Sequence, residues 1–227
     1  MAANFDSLAR PYRWMERLSF GGALARARVA HVDALSSCRQ VLLLGDGDGR
    51  FLARALAVAP SAEFHSIDAS ATMLALARAR LAPADRARVT FEHADALEAP
   101  LPSARYDAVV TLFFLDCFTP AETTRLVERV ARAATSNAIW LFADFAIPAR
   151  GIRRAAARVL TGGLYWFFRW RTGISATHLP DAEHEIARHG FAPAAVRAFA
   201  FGLLRSVRFV RVGARLDGAR RASAEIR

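Results

Sequence analysis

The stretch "VLLLGDGDGR", residues 41–50, runs four apolar side chains into a turn with glycine at 45, 47 and 49. With Gln40 it predicts a short strand, QVLLLG (40–45), apolar at successive positions and so covered on both faces. "RFLARALAVA" follows directly, from residue 50, and predicts a helix. A strand that ends in a glycine turn and opens a helix is the ligand-binding corner of an open α/β sheet. The bare backbone there serves either a bound molecule or a tight packing contact.

Outward from this corner, strand-like runs alternate with helical ones. "AEFHSID" (62–68), "VTFEHAD" (89–95), "YDAVVTLFFL" (106–115) and "NAIWLFADF" (137–145) predict further strands. "SATMLALARARL" predicts a helix capped by Ser70. Thr119-Pro120-Ala121-Glu122 opens another, with a capping box and proline in the first turn. Near the end, "AAVRAFAFGLL" (194–204) and "RSVRFVRVGA" (205–214) adjoin with no helix between them, which predicts an antiparallel hairpin at the sheet edge. The fold expected is α/β: a doubly wound, Rossmann-like, seven-stranded, mostly parallel sheet with a C-terminal antiparallel hairpin.

The 227 residues suit one domain with an ample core. Cys38 and Cys117 are too few for a disulfide scaffold and have no paired metal-ligand spacing, so no metal is expected. The opening "MAANFDSLARPYRWMERL" lacks the apolar core of a secretory signal. The runs "AVVTLFFLDCF" and "VLTGGLYWFF" are too short for a spanning helix. A cytoplasmic protein is expected. Every basic residue is Arg, which excludes Schiff-base chemistry and a lysine base. Residues 1–144 carry 16 Arg and 16 Asp or Glu, whereas 145–227 carry 15 Arg and 5 acids, so the last third holds the whole net charge of +10. That excess suits anionic lipid, an acidic substrate or nucleic acid.

The dinucleotide fingerprint G-x-G-x-x-G needs glycine at 45, 47 and 50, but position 50 is Arg. Arg50 argues against an NAD-type oxidoreductase. The spacing present, Gly45, Gly47 and Gly49, fits a ligand without phosphate whose amino-acid end crosses bare backbone. Asp68, at the end of the second strand, is placed to accept both hydroxyls of a ribose. Asp95, at the end of the third, is placed to accept an exocyclic adenine amine, with a neighbouring backbone amide completing the contact. Either acid alone reads more readily as a helix cap.

These features in order resemble the class I S-adenosylmethionine-dependent methyltransferases. "VLLLGDGDG" stands where that family has its glycine-rich motif, "FHSIDAS" where it has an acidic second-strand end, and "HADAL" and "YDAVVTLFFLDCF" where its third and fourth motifs lie. "FDSLARPY" is similar to the segment that closes over the cofactor in the small-molecule branch, which includes quinone-biosynthesis enzymes. The resemblance implies S-adenosyl-L-methionine as cofactor. It implies contacts from Gly45, Asp46, Gly47 and Gly49 to the methionine part, from Asp68 and Ala69 to the ribose and from Asp95 and Ala96 to the adenine. Leu112 and Phe113 fall around the methyl group. Many members carry an acid two residues before the first glycine; here that residue is Leu43, and the donor's ammonium falls to Asp46 and backbone carbonyls. It further implies one methyltransferase domain over 1–227: a helical cap (1–36), a cofactor-binding core (37–147), an acceptor-side helical insertion (148–190) and the hairpin with its tail (191–227).

Methyl transfer needs alignment and exclusion of water, and a base only where the acceptor must lose a proton. Asp116, Asp144 and His178 are the candidates, the first two at strand ends that face the crevice; His178 reads also as a loop cap. Cys117 reads as a small buried apolar residue. Tyr12, Trp14, Tyr165, Trp166 and Phe167 are candidates to roof a small, apolar or amphipathic acceptor, although the aromatics of 162–173 read as well as a helix packed on the sheet. Arg150, Arg153, Arg154, Arg158, Arg169 and Arg171 make this a basic amphipathic stretch that suits an anionic membrane surface or a solvated helix face. Nucleic acid is disfavoured as a partner, because "LFFLDCF" replaces the Asn-Pro-Pro-Tyr type of motif that amino-methylating DNA enzymes carry after the fourth strand. A cofactor-binding protein without catalysis and a membrane-surface or nucleic-acid interaction module are the further alternatives.

Overall fold

Val41 and Leu43 pack into one apolar layer, Leu42 and Leu44 into another, and all four are buried. The computed structural model describes residues 22–146 and 181–212. Its elements are α1 (Ala23–Val29), β1 (Gln40–Leu44), α2 (Arg50–Val58), β2 (Glu63–Asp68), α3 (Ala71–Arg80), α4 (Pro83–Arg86), β3 (Val89–His93), β4 (Tyr106–Leu112), α5 (Pro120–Ala133), β5 (Ala134–Phe145), α6 (Ala182–Arg188), β6 (Phe191–Phe199) and β7 (Leu204–Arg211). Single 3₁₀ turns lie at Val32–Leu35, Leu115–Cys117 and Ala200–Gly202.

The seven strands form one sheet in the order β3-β2-β1-β4-β5-β7-β6. β1 to β5 are parallel, and β7 runs antiparallel to both β5 and β6. From β1 the chain builds outward through β2 and β3, then returns to lay β4 and β5 on the other side. The loops after β1 and β4 therefore diverge, and the crevice between them at the C-terminal strand ends is where such sheets hold ligands. One apolar layer joins Phe51, Leu52, Ala55 and Leu56 of α2 to Val41, Leu43, Ala108 and Val110. The opposite layer joins Leu126, Val127 and Val130 of α5 and Ile186 of α6 to Leu42, Leu44, Val109 and Trp140.

The local chemistry of the helix ends is as the sequence predicts. Ser70 Oγ accepts the Met73 N–H at 3.2 Å. Thr119 and Glu122 form the reciprocal capping box, with Pro120 in the first turn.

Several boundaries differ, among them the start of β5, at Ala134 rather than 137. β4 stops at Leu112 rather than 115, because Phe113 turns left-handed (φ 54°). β3 stops at His93, two residues short of Asp95. The hairpin starts at Phe191 and turns through Ala200–Gly202, and it ends the sheet with β6 at the rim and β7 inside. The reason lies in the two sequences. Val207 and Phe209 of β7 are fully buried, whereas β6 contains Pro193, which cannot donate to a ladder on both sides and belongs on an edge.

Candidate functional site

The β1–α2 turn holds Gly45, Gly47 and Gly49 all in the left-handed region, at φ 63°, 67° and 77°. A Cβ on each would meet a different neighbour. At Gly45 it would lie 2.2 Å from the Phe114 ring, and at Gly49 2.7 Å from Cα and Cβ of Ala77 on α3. Those two glycines admit a side chain and a helix. At Gly47 it would meet nothing nearer than Met73 Sδ at 3.9 Å. Among the described residues, Gly47 alone of the three has room for a Cβ, so two of the glycines answer to packing and Gly47 does not.

The acids around this turn divide in the same way. Asp48 is taken by Arg50 at 3.1 Å and Arg80 at 2.9 Å, which ties α2 to α3. Asp46 accepts the Leu52 N–H at 3.0 Å, and burial pushes its carboxyl up to about 7. At the end of β2, Asp68 accepts the Gly47 N–H at 3.2 Å and the Ser70 N–H at 2.9 Å. It thereby couples the glycine turn to the start of α3. Ala69 is exposed beside it. Asp95, in the turn after β3, is exposed and accepts the Leu97 N–H at 2.9 Å. Ala96 is buried, with its carbonyl held by Arg129 at 3.0 Å.

Across the crevice, Phe113 donates its N–H to the Ala143 carbonyl at 2.7 Å and turns the chain out of β4. The following 3₁₀ turn brings Asp116 against Asp144 of β5. Asp144 accepts the Asp116 N–H at 3.1 Å and the Phe145 N–H at 2.8 Å. Burial raises both carboxyls above the ordinary range, and the Asp116 charge raises Asp144 further. The Cys117 thiol donates to Asp116 at 3.7 Å. Burial and both aspartates push that thiol far up, so it is a neutral donor and no nucleophile. Phe113 and Phe145 meet edge to face at 5.4 Å, as do Phe114 and Phe118 at 5.0 Å. Leu112 is buried at the end of β4.

Sequence reasoning missed two residues here. Arg28 of α1 places its guanidinium 5.3 Å from the centre of the Phe113 ring, and its charge favours ionised Asp46 and Asp116. Phe114 roofs Gly45. Only tertiary packing brings either to the site, and no local spacing marks them. His178, Tyr12, Trp14, Tyr165, Trp166, Phe167 and the arginines from 150 to 171 lie outside the described residues. Among the described residues no group of His, Cys, Asp and Glu is arranged to hold a metal, and no helix is long and apolar enough to cross a membrane.

A seven-stranded sheet of this order, with a glycine turn after β1, an aspartate at the end of β2 and another in the turn after β3, defines a class. Residues 41–137 match the family model of a methyltransferase domain, and this part of the chain is a methyltransferase domain. The demethylmenaquinone methyltransferase of Deinococcus radiodurans is 34% identical over 157 residues, which are 68% of this chain and 64% of that protein. The demethylmenaquinone methyltransferase of Thermus thermophilus is 31% identical over 149 residues, 65% of this chain and 66% of that one. The chain thus covers just under two thirds of the length of either relative. In fold it is similar to the 1,6-didemethyltoxoflavin N1-methyltransferase of Burkholderia thailandensis, whose crystal structure contains bound 1,6-didemethyltoxoflavin and S-adenosylhomocysteine. The TM-score is 0.64 at 17% identity, over 91% of this chain and 85% of that one.

Proposed function

We propose that this protein transfers the methyl group of S-adenosyl-L-methionine to a small, apolar or amphipathic acceptor. The observation that carries this reading is the open face of Gly47 beside Asp68, across the crevice from the Asp116–Asp144 pair. The residues suit that cofactor: a backbone without Cβ, a carboxylate for the ribose, a second acid at Asp95 and a buried acid, Asp46, for the ammonium. When bound, the cofactor supplies a methyl group on a sulfonium, which an acceptor atom takes in line as the sulfur keeps the bonding pair.

What the chain contributes is position and proton handling. Asp68 holds the glycine turn through the Gly47 N–H, so the groove beside Gly47 is set before a ligand arrives. The Phe113, Phe114, Phe118 and Phe145 rings exclude water from the strand ends, as alignment for in-line attack requires. Asp116 and Asp144, with carboxyls raised above the ordinary carboxylate range by burial, are placed to take the proton of an acceptor hydroxyl or amine. In this reading Tyr12, Trp14, Tyr165, Trp166 and Phe167 cover the acceptor, His178 approaches the transferred group, and 148–190 is the acceptor-side segment beside the 37–147 core. The chain works in the cytoplasm, with the arginines of that segment against anionic membrane.

Calorimetry with S-adenosylmethionine and, separately, NAD tests the cofactor. Saturable binding of the methyl donor alone is expected, weakened in Asp68→Ala by on the order of 1.5–3 kcal/mol. Binding of NAD in preference, or no effect of the substitution, overturns the reading.

A further inference from the structure

The β6–β7 hairpin carries a cluster of positive charge on the side that α1 covers. Arg197 stands opposite Ser206 and Arg208 opposite Ala195, so the four share one face. On that face Leu204 packs with Ala23, Leu24 and Ala27 of α1. His31, just beyond α1, brings Nε2 to 3.3 Å from the Ser206 carbonyl.

Other arginines nearby have acidic partners: Arg205 pairs with Glu183 and Arg188 with Glu185. Neither Arg197 nor Arg208 has one among the described residues. Arg208 Nε is also buried with no hydrogen-bond acceptor, a state that native structures rarely leave standing. His31 feels the same imbalance. Burial chiefly, then the charges of Arg197 and Arg208, hold its imidazole below the ordinary value, against the pull of the Ser206 carbonyl. Two guanidiniums and an imidazole thus stand together without a counter-charge among the described residues.

We propose that His31, Arg197 and Arg208 form a binding site for a phosphate-type oxyanion, separate from the methyl-transfer crevice. Two guanidinium forks match the oxygens and charge of phosphate better than those of one carboxylate. The site is not the crevice. Ser206 pairs with Ala143 and Arg208 with Leu141, which sets the cluster roughly 7–13 Å down β5 from Phe145 at about 3.3 Å per residue. The phosphate belongs either to a soluble ligand or to a lipid headgroup at a membrane surface.

The test follows the His31 imidazole by NMR in the full chain, assigned with His31→Gln, as inorganic phosphate replaces chloride at matched ionic strength. Phosphate is expected to raise the His31 midpoint saturably, because an anion offsets both guanidiniums. Arg197→Gln, at an exposed position, should weaken this by roughly tenfold; Arg197→Gln with Arg208→Gln should abolish it and raise the resting midpoint. No saturable shift, or the same shift with chloride, overturns the site. A phosphate response that Arg197→Gln leaves unchanged overturns it too. Co-sedimentation with phosphatidylglycerol and phosphatidylcholine vesicles then separates the sources. Binding to the anionic vesicles that Arg197→Gln removes assigns a lipid headgroup, and a phosphate response with no vesicle binding assigns a soluble ligand.

Discussion

Asp144 accepts the backbone N–H of Asp116 at 3.1 Å, which draws the half-buried aspartate of the turn after β4 and the buried one at the end of β5 into one pair. A proton removed from an acceptor must go to the ionised member. Both carboxyls are raised by burial, so falling pH removes the base from a range well above that of an exposed aspartate. With an acceptor whose reacting atom carries a proton, the rate should fall on the acid side. Asp116→Asn should lower it by about 10²–10⁴-fold and abolish that limb. An unchanged pH–rate profile in Asp116→Asn would place the base elsewhere.

Asp46 offers a test by stability. Its folded value of about 7 lies above the ordinary 3.8, so the folded state keeps a proton that the unfolded chain has already released. The contribution is therefore complete below the unfolded value and is lost as pH rises through the folded one. Asp46→Asn keeps an oxygen for the Leu52 N–H and cannot ionise. Its stability in urea should vary less between acid and neutral pH, and at neutral pH it should exceed that of the unsubstituted chain by on the order of 1–3 kcal/mol. Parallel pH dependences in the two chains would refute the assignment.

The three glycines should separate by mutation. Gly49→Ala drives a Cβ into the backbone of Ala77 and should destabilise the fold by several kcal/mol, as strained and overpacked sites do. Gly47→Ala meets only the left-handed strain of about 1–2 kcal/mol, yet it fills the open face, and Gly47→Val fills it further. Donor affinity measured beside chemical unfolding should fall in Gly47→Val by more than the stability does. If binding drops only in proportion to stability, the turn is glycine-rich for packing alone.

Whatever depends on chain-local chemistry was legible beforehand. The apolar run of β1, the Ser70 cap and the Thr119–Glu122 box are each written within a few residues. What the glycines at 45 and 49 are for was not legible, because Phe114 and Ala77 reach them only once β4 and α3 are packed. The Asp116–Asp144 pair is of the same kind: each acid was visible at a strand end, but their contact requires β5 beside β4. Arg28 carries no signal at all in its own stretch. The place of β7 between β5 and β6 had a signal in Pro193, an edge-strand residue, which the pattern of alternation alone does not use.

The acceptor side is tested by Trp166 and Phe167. The proposed cofactor-side residues, Gly47, Asp68 and Asp95 among them, all lie before about residue 116, so donor binding and acceptor binding should be separable. Trp166→Ala with Phe167→Ala is expected to leave donor affinity nearly intact while turnover falls. Were the two side chains core, their loss would cost about 3–5 kcal/mol each, and the thermal melt would move with the binding. A melt run beside the calorimetry therefore decides between the roles. A stable double variant that binds the methyl donor but turns over slowly assigns the segment to the acceptor. Joint loss of stability and donor binding assigns it to the core, and the acceptor then contacts other residues around the Phe113–Phe145 rim.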